Sequence, residues 1–476
     1  MSSEIKKKFC NKIEFWIVIF FLIRLIGITN PPIEIGHNWR QATGLMVSRN
    51  FFETNSNILY PRIDDNEGGT GIIGMEFPIM NYIYSLIAKL FGYTHWYGRL
   101  INLIVSSIGI FFFYKIIKKY FDHKIAFSSA FCLIGSIWFA FSRKMMPDTF
   151  CISLMFIGIY YGTEYLEKGR YINIFLYLLF SSLGILSKIP AGIYFIVFIP
   201  LFFTRTNPKQ KIILGLTTII PLILTYTWYF IWNPYVSSKF GIWYNSGSDI
   251  QKGFYEVSSN IYMALEKFFI SSFCSYIFIS FFIFGIFLML KKQNKRLIYV
   301  FTSILLIFII YIFKSGSSFT HHSYYIIPFV PVMALVAGYS ISQIKNKWLF
   351  IFIIFFGITE SIANQQHDFF NKKTEMYKLE LESIADSVSD KKDLIVINGN
   401  GNPQQIYLTH RKGWNCVNKK LSDSLFIEEI ALQGCKYIFV NKHDYKEYLN
   451  YKIVFENYDY TVYEINSEKE YIEKNN

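Results

Sequence analysis

Between two apolar runs near its start, the chain holds a polar stretch from Pro31 to Pro78 whose His, Arg, Asp and Glu side chains suit the active-site loop of a membrane enzyme. It contains Gly36-His37-Asn38-Trp39-Arg40-Gln41, then Tyr60-Pro61-Arg62-Ile63-Asp64-Asp65, then Gly74-Met75-Glu76-Phe77-Pro78. A connection that only joins two spans can be short; this one is long and densely functionalised. A histidine such as His37 titrates near neutral pH and can act as a general base. The acids Asp64 and Asp65 suit proton transfer or a divalent cation, although a solvated loop would show the same residues. Glu76 sits among Met75, Phe77 and Pro78, a setting less suited to an idle surface acid. Trp39 could stack on a sugar ring, or it could anchor at a membrane interface with Arg40.

Three further groups lie at the ends of later apolar runs. Arg143 and Lys144 precede Pro147 and Asp148, where a proline suits the first turn of a helix and an acid is favoured by its dipole. Lys188 follows one apolar run and precedes Pro190. A lysine there either snorkels to the interface or meets a lipid phosphate. His321 and His322 stand before Tyr324 and Tyr325; adjacent histidines on a helix diverge, which weakens a metal reading. No CxxC or Cys–His metal signature occurs, so the sequence specifies no cofactor and leaves a divalent cation open.

The elements that would position these groups are membrane helices. Of the 476 residues, 52% are hydrophobic, 20% aromatic and only 17% charged, against about a quarter charged in a typical soluble chain. Apolar runs over 15–28, 99–117, 124–142, 148–166, 171–187, 190–204, 211–232, 265–290, 297–314, 323–343 and 347–363 predict about eleven spans. Ile79–Phe91 is shorter and suits an interfacial or re-entrant helix. Lys6, Lys7, Lys8 and Lys12 precede the first run, and no small-residue cleavage site follows. The run is expected to be a retained span with its N-terminus in the cytoplasm. The net charge of +13 falls largely in short clusters such as Lys115-Lys118-Lys119, Arg205-Lys209-Lys211 and Lys291-Lys292-Lys295-Arg296. With alternating spans these clusters share one side, as cytoplasmic loops do. That distribution argues for a membrane protein and against a nucleic-acid partner.

From about Asn364 the composition changes. A charged helix around Lys372–Ser389 leads to short apolar runs at Asp393–Asn398, Lys436–Val440, Lys452–Phe455 and Tyr460–Ile465, which read as strands, with helical spacing over Leu421–Leu432. The expected division is a membrane domain over 1–363 with its polar active-site loop at 31–96, a linker helix over 364–390, and a small soluble α/β domain over 391–476. The span count places that domain outside the cytoplasm, in the cell's inner (plasma) membrane system. Cys416 and Cys435 could pair there, but spacing alone does not show it.

The motifs in order resemble the polyprenyl-phosphate-dependent membrane glycosyltransferases of the GT-C superfamily, in particular the protein O-mannosyltransferase and lipid A aminoarabinose transferase branch. His37-Asn-Trp-Arg40-Gln41 stands at the place of that family's Asp-Glu-x-Arg-Tyr segment, and Glu76-Phe77-Pro78 at the place of Glu-Lys-Pro-Pro. Arg143-Lys-Met-Met-Pro-Asp148 is similar to its Arg-x-x-x-x-Asp, Leu-Ser-Lys188-Ile-Pro190 to its Leu-Thr-Lys-Gly-Pro, and Tyr324-Tyr325-Ile-Ile-Pro328-Phe-Val-Pro331 to its Arg-Tyr-x-Leu-Pro-x-x-Pro. The family's first-loop Asp falls on His37 here, and the Lys beside Glu76 is Phe77.

The resemblance implies transfer of a sugar from a polyprenyl-phosphate donor to a lipid, glycan or protein acceptor at the outer membrane face. Arg40, Arg143 and Lys188 would hold the donor phosphate. His37, Glu76, Asp148, Asp64 and Asp65 would divide proton removal and substrate positioning. Trp39, Tyr60, Tyr82, His321, His322 and Tyr325 would line the substrate paths. Three other readings remain open on the residues: a flippase for lipid-linked sugars, an O-antigen ligase or polymerase, and a non-catalytic scaffold.

Overall fold

A chain segment in contact with lipid must satisfy its own backbone hydrogen bonds, and the runs of Phe, Ile and Leu do so as helices. The computed structural model describes residues 12–203, 207–242 and 247–465; Lys6, Lys7, Lys8 and Arg205 of the basic clusters lie outside the described residues. The chain divides into two units. One takes the chain up to Ile28, Gly98–Ile231 and Asn245–Phe369; the other takes Thr29–Tyr97, Trp232–Tyr244 and the chain from Phe370.

The first unit is helical. Among the described residues, four helices are long and apolar enough to cross a membrane: Tyr97–Tyr120, Pro208–Phe240, Lys295–Ser315 and Lys347–Phe369. A fifth span arises if Ile261–Ser271 and Tyr276–Lys291, bent by 104° at their junction, count as one. The expectation of about eleven spans is corrected accordingly, because several continuous apolar runs break in the fold. The run at 124–142 splits into His123–Ile134 and a short turn at Trp138–Phe141. The run at 190–204 starts as a 3-10 helix, Ile189–Phe198. The run at 323–343 becomes α-helical only at Val330, after Pro328. The first helix, Ile13–Arg24, has 12 residues. Leu216, Ile223, Leu306, Ile310, Phe352 and Phe355 point outward and are exposed. An apolar surface of that extent on a helical unit is a lipid-facing surface.

The second unit combines the polar stretch after Ile28 with the C-terminal α/β region. Five strands form one sheet in the order β2-β1-β3-β5-β4: β1 Leu394–Ile397, β2 Lys412–Asn415, β3 Cys435–Asn441, β4 Lys452–Glu456 and β5 Tyr460–Glu464. β1 pairs in parallel with β2 and β3, placing Val396 beside Trp414 and Ile438. β5 is antiparallel to β3 and β4. Val396, Ile438 and Val440 bury one face of the sheet against Ile427 and Ile430 of the Ser424–Leu432 helix. Cys416 and Cys435 are buried free thiols, so the pairing left open by the sequence is not made. The charged segment after 372 is a 3-10 stretch, Lys373–Glu380, followed by the Leu381–Val388 helix.

Also in this unit, Ile79–Phe91 forms a 13-residue helix. It buries Met80, Asn81, Tyr84, Ser85 and Ala88 on one face and exposes Leu86, Leu90 and Phe91. An exposed apolar edge on a short amphipathic helix suits the membrane interface.

Candidate active site

In the first unit, the motif residues Asp148 and Lys188 are carried by a helical hairpin. Pro147–Lys168 and Tyr171–Ser187 are joined at Gly169, whose φ of +64° turns the chain back. Small residues let the two backbones approach closely. A Cβ on Gly184 would lie 2.9 Å from the carbonyl oxygen of Cys151, and one on Gly158 would lie 2.9 Å from the Ser181 nitrogen. The facing pairs Cys151/Gly184 and Gly158/Ser181 are those of antiparallel packing. The same alignment puts Asp148, in the first turn of one helix, opposite Lys188, just past the end of the other.

Lys188 Nζ donates to Asp148 Oδ1 in an ion pair whose side chains are 13% and 3% exposed. The ammonium also lies over the rings of Tyr324 at 4.8 Å and Tyr325 at 5.4 Å, a cation–π arrangement strengthened by desolvation. His322 stacks on Tyr324, with ring centroids 5.3 Å apart. Asp148 Oδ2 is buried and makes no hydrogen bond within the protein. A buried carboxylate oxygen normally has a partner, so this one keeps an unused capacity to accept a hydrogen bond.

The turn before Asp148 is held by a residue that the sequence reading did not single out. The Asn102 side-chain amide donates to the carbonyls of Phe141 at 3.0 Å, Lys144 at 2.9 Å and Met146 at 3.1 Å. Its Oδ1 accepts from Ser106 at 2.9 Å and Thr149 at 3.0 Å. The signal was present as a lone Asn in an apolar helix, a residue that is costly in a membrane unless used. Arg24 supports the same turn from a second side, donating to Ser142 Oγ at 2.6 Å and Ser107 Oγ at 3.1 Å.

Arg143 stacks its guanidinium on Phe369, 4.0 Å from the ring centroid. Lys144 is buried and paired with Asp368 at 2.9 Å. Asp368 and His367 line a cavity of about 460 Å³ with Phe141, Cys274, Ser275 and Ser323. Neither Lys144 nor Asp368 was expected to form a pair. His321 places its Nδ1 against the Ser317 carbonyl at 2.7 Å.

In the second unit, His37 occupies the left-handed region with φ 59° and precedes the Asn38–Glu53 helix; histidine is among the residues that tolerate this conformation. On that helix Trp39 is exposed, and Arg40 forms an ion pair with Glu76. The pair joins two of the motif positions, with side chains 30% and 19% exposed. Tyr60 meets the rings of Trp232 at 5.3 Å and Phe240 at 6.1 Å. Tyr82 packs its edge on Phe51 at 5.9 Å.

The two adjacent acids differ. Asp64 is buried; Oδ2 accepts from Arg49 at 2.7 Å and Oδ1 from Asn50 at 2.8 Å. Arg49 in turn donates to the Tyr407 carbonyl at 2.9 Å and lies on the Tyr407 ring at 4.3 Å. Asp64 is therefore neither solvated nor displayed; it fastens the loop to the Asn38–Glu53 helix. Asp65 accepts from the Asn415 backbone N–H at 3.1 Å. Burial pushes its carboxyl up to about 7, and the charges of Glu67 and Asp64 add to the rise.

An aspartate unfolded titrates near 4, so between about pH 4 and 7 the folded protein keeps a proton that the unfolded chain releases. Stability must fall as pH rises through that window and level off above it. Asp65→Asn is expected to flatten the profile of Tm against pH there and to raise Tm at about pH 8. Thermal denaturation in detergent across the window checks this, and an unchanged slope would remove Asp65 as its source.

Among the described residues, no group of three or more His, Cys, Asp and Glu is placed to hold a metal ion.

A family model for dolichyl-phosphate-mannose-protein mannosyltransferase matches residues 76–232, a stretch that includes Glu76, Arg143, Asp148 and Lys188. Solved structures match over nearly the whole chain. ArnT from Cupriavidus metallidurans in the apo state is 12% identical with a TM-score of 0.63, covering 94% of this chain and 97% of that one. The same protein bound to undecaprenyl phosphate is 11% identical with a TM-score of 0.60, covering 94% and 98%. The oligosaccharyltransferase AglB from Archaeoglobus fulgidus, in complex with an inhibitory peptide and a dolichol-phosphate, is 12% identical with a TM-score of 0.51, covering 90% and 69%. No curated protein sequence matches significantly. The chain shares the fold of these solved structures.

Proposed function

We propose that the chain is an integral membrane glycosyltransferase that moves a sugar from a polyprenyl-phosphate carrier to a lipid, glycan or protein acceptor. The observation that carries this reading is the buried Lys188–Asp148 pair under Tyr324 and Tyr325, with Asp148 Oδ2 still able to accept. It lies inside the stretch that matches the mannosyltransferase family. Two of the structures with this fold hold polyprenyl phosphates, undecaprenyl phosphate in ArnT and a dolichol-phosphate in AglB.

In the reaction, an acceptor hydroxyl attacks the anomeric carbon, the bond from that carbon to the phosphate oxygen breaks, and the polyprenyl phosphate leaves with the bonding electron pair. Lys188 and Arg143 neutralise the charge that grows on the leaving phosphate; fixed cations in a dry site are worth far more than in water. Arg40 is assigned to phosphate as well, held by Glu76. Asp148 accepts from a sugar or acceptor hydroxyl through Oδ2. The acceptor's proton goes to His37 or to one of the acids Glu76, Asp65 and Asp148. Trp39, Tyr60, Tyr82, His321, His322 and Tyr325 line the sugar and lipid paths. Asp64 is assigned a structural role, since both of its oxygens are engaged. The one-sided basic clusters favour an N-terminus in the cytoplasm, and the reading puts the C-terminal region on the outer face of the inner (plasma) membrane.

The test is transfer of radiolabelled sugar by the purified protein, supplied with polyprenyl-phosphate-sugars and a lysate of acceptors, with His37→Ala in parallel. Labelled product from the wild type establishes the transferase; loss in the variant assigns the proton to His37, and equal transfer moves it to an acid. No labelled product with any donor would sink the reading in favour of a flippase or scaffold.

A further inference from the structure

Within the first unit, a cavity of about 400 Å³ lies between the Tyr97–Tyr120, Pro147–Lys168, Lys295–Ser315 and Val330–Ser342 helices and the segment of Ile189–Phe198 and Ile199–Phe202. Its volume is in the range of small-ligand sites, about 300–1,000 Å³. Its walls are largely apolar, including Phe113, Phe156, Val332 and Leu335; Tyr120, Thr163, Lys295 and Arg296 stand at one rim, and the lining tyrosines Tyr194 and Tyr299 give their hydroxyls to the Pro328 and Ile196 carbonyls. Phe156, Ile159 and Thr163 follow one another down the Pro147–Lys168 helix away from Asp148. The rim is thus at the opposite end of that helix from the Lys188–Asp148 pair.

At this end of the Pro147–Lys168 helix, Glu164 is paired with Lys119 and Lys168, and Glu167 with Lys119. Lys295 and Arg296 are exposed and form no ion pair within 4.0 Å among the described residues. Arg296 is held at the edge by the Tyr120 carbonyl, to which it donates, and by the rings of Tyr120 and Phe121, each 5.9 Å away. Both cations occupy the first turn of the Lys295–Ser315 helix, which contains no acid. Cations at the positive end of a helix dipole are unfavourable, and an anion there is favourable. An apolar chamber beneath two uncompensated cations and a helix N-terminus is complementary to a lipid with a negative headgroup.

We infer that this cavity binds an anionic glycerophospholipid of the cytoplasmic leaflet, with one acyl chain among Phe113, Phe156, Val332 and Leu335 and the phosphate on Lys295 and Arg296. Basic pockets between membrane helices on the cytoplasmic side recognise such headgroups. The lipid fills space between these elements, so its effect is on their stability and not on the transfer chemistry. The proposal does not depend on the transferase reading.

The test uses the full chain, purified and stripped of lipid in mild detergent, with phosphatidylglycerol and phosphatidylcholine of the same acyl chains as probes. Native mass spectrometry reads binding, and thermal denaturation reads Tm. Phosphatidylglycerol is expected to bind and raise Tm by several degrees, and phosphatidylcholine to do neither. Reversing both exposed cations, Lys295→Glu with Arg296→Glu, is expected to weaken phosphatidylglycerol binding by about 30-fold. Val300→Trp, which fills the cavity from its side, is expected to remove binding with the cations intact. Equal binding of the two lipids, binding that survives charge reversal, or preferential retention of polyprenyl phosphate over phosphatidylglycerol would each overturn the assignment.

Discussion

Replacing Lys188 by Met is expected to lower the rate of sugar transfer by about 10³-fold, the loss typical of removing one preorganised charge stabiliser from a dry site. The same change should also lower stability by about 3–5 kcal/mol, because it leaves a buried carboxylate unpaired. The two effects can be separated. Asp148→Asn added to Lys188→Met removes the orphaned charge while keeping the side-chain volumes. The double variant should recover most of the lost Tm and none of the lost activity. Thermal denaturation in detergent and transfer kinetics on the same preparations give both readouts. Recovery of activity along with Tm would mean that the pair only braces the hairpin, and that the phosphate is held elsewhere.

The second large effect concerns Asp64. Both carboxylate oxygens engage Arg49 and Asn50, and Arg49 is also fixed by the Tyr407 carbonyl and ring. Asp64→Ala is expected to cost about 3–5 kcal/mol, since it strands a buried guanidinium. The protein that remains folded should transfer at a rate close to wild type, because no oxygen of Asp64 is offered to a substrate. Activity per folded molecule, with the folded fraction set by a denaturation curve on the same sample, decides the matter. A fall of 10²-fold or more in that normalised rate would return Asp64 to the chemistry.

These two acids show what a linear reading reaches. Asp64 and Asp65 are adjacent and look alike in the sequence. Their difference lies in partners brought in by folding: Arg49 from a helix fifteen residues earlier, and the Asn415 backbone from a β-strand far along the chain. The Asp148–Lys188 pair was legible as two separate residues at helix ends. Its formation was not, because it depends on the phase of two helices fixed by Gly158 and Gly184.

Strands β1, β3, β4 and β5 were legible as apolar runs between turn residues. Strand β2, Lys-Gly-Trp-Asn, was not, since it is four residues long and lies at the sheet edge. Helical membrane character was legible from composition, as only intrahelical hydrogen bonds satisfy such runs in lipid. The number of uninterrupted spans was not, because a broken helix and a straight one share the same hydropathy.

The hairpin that carries Asp148 and Lys188 also determines where the gene can drift in length. Both residues are placed by counting outward from the turn at Gly169, so the site has a rotational address. One residue inserted in either arm turns everything beyond it by 100° about the helix axis and carries one member of the pair to another face. An insertion at Gly169–Arg170 leaves the phase of both arms intact, provided that the arms still dock through Gly158 and Gly184. Length variation in related chains should therefore collect at that turn and be absent from the two arms.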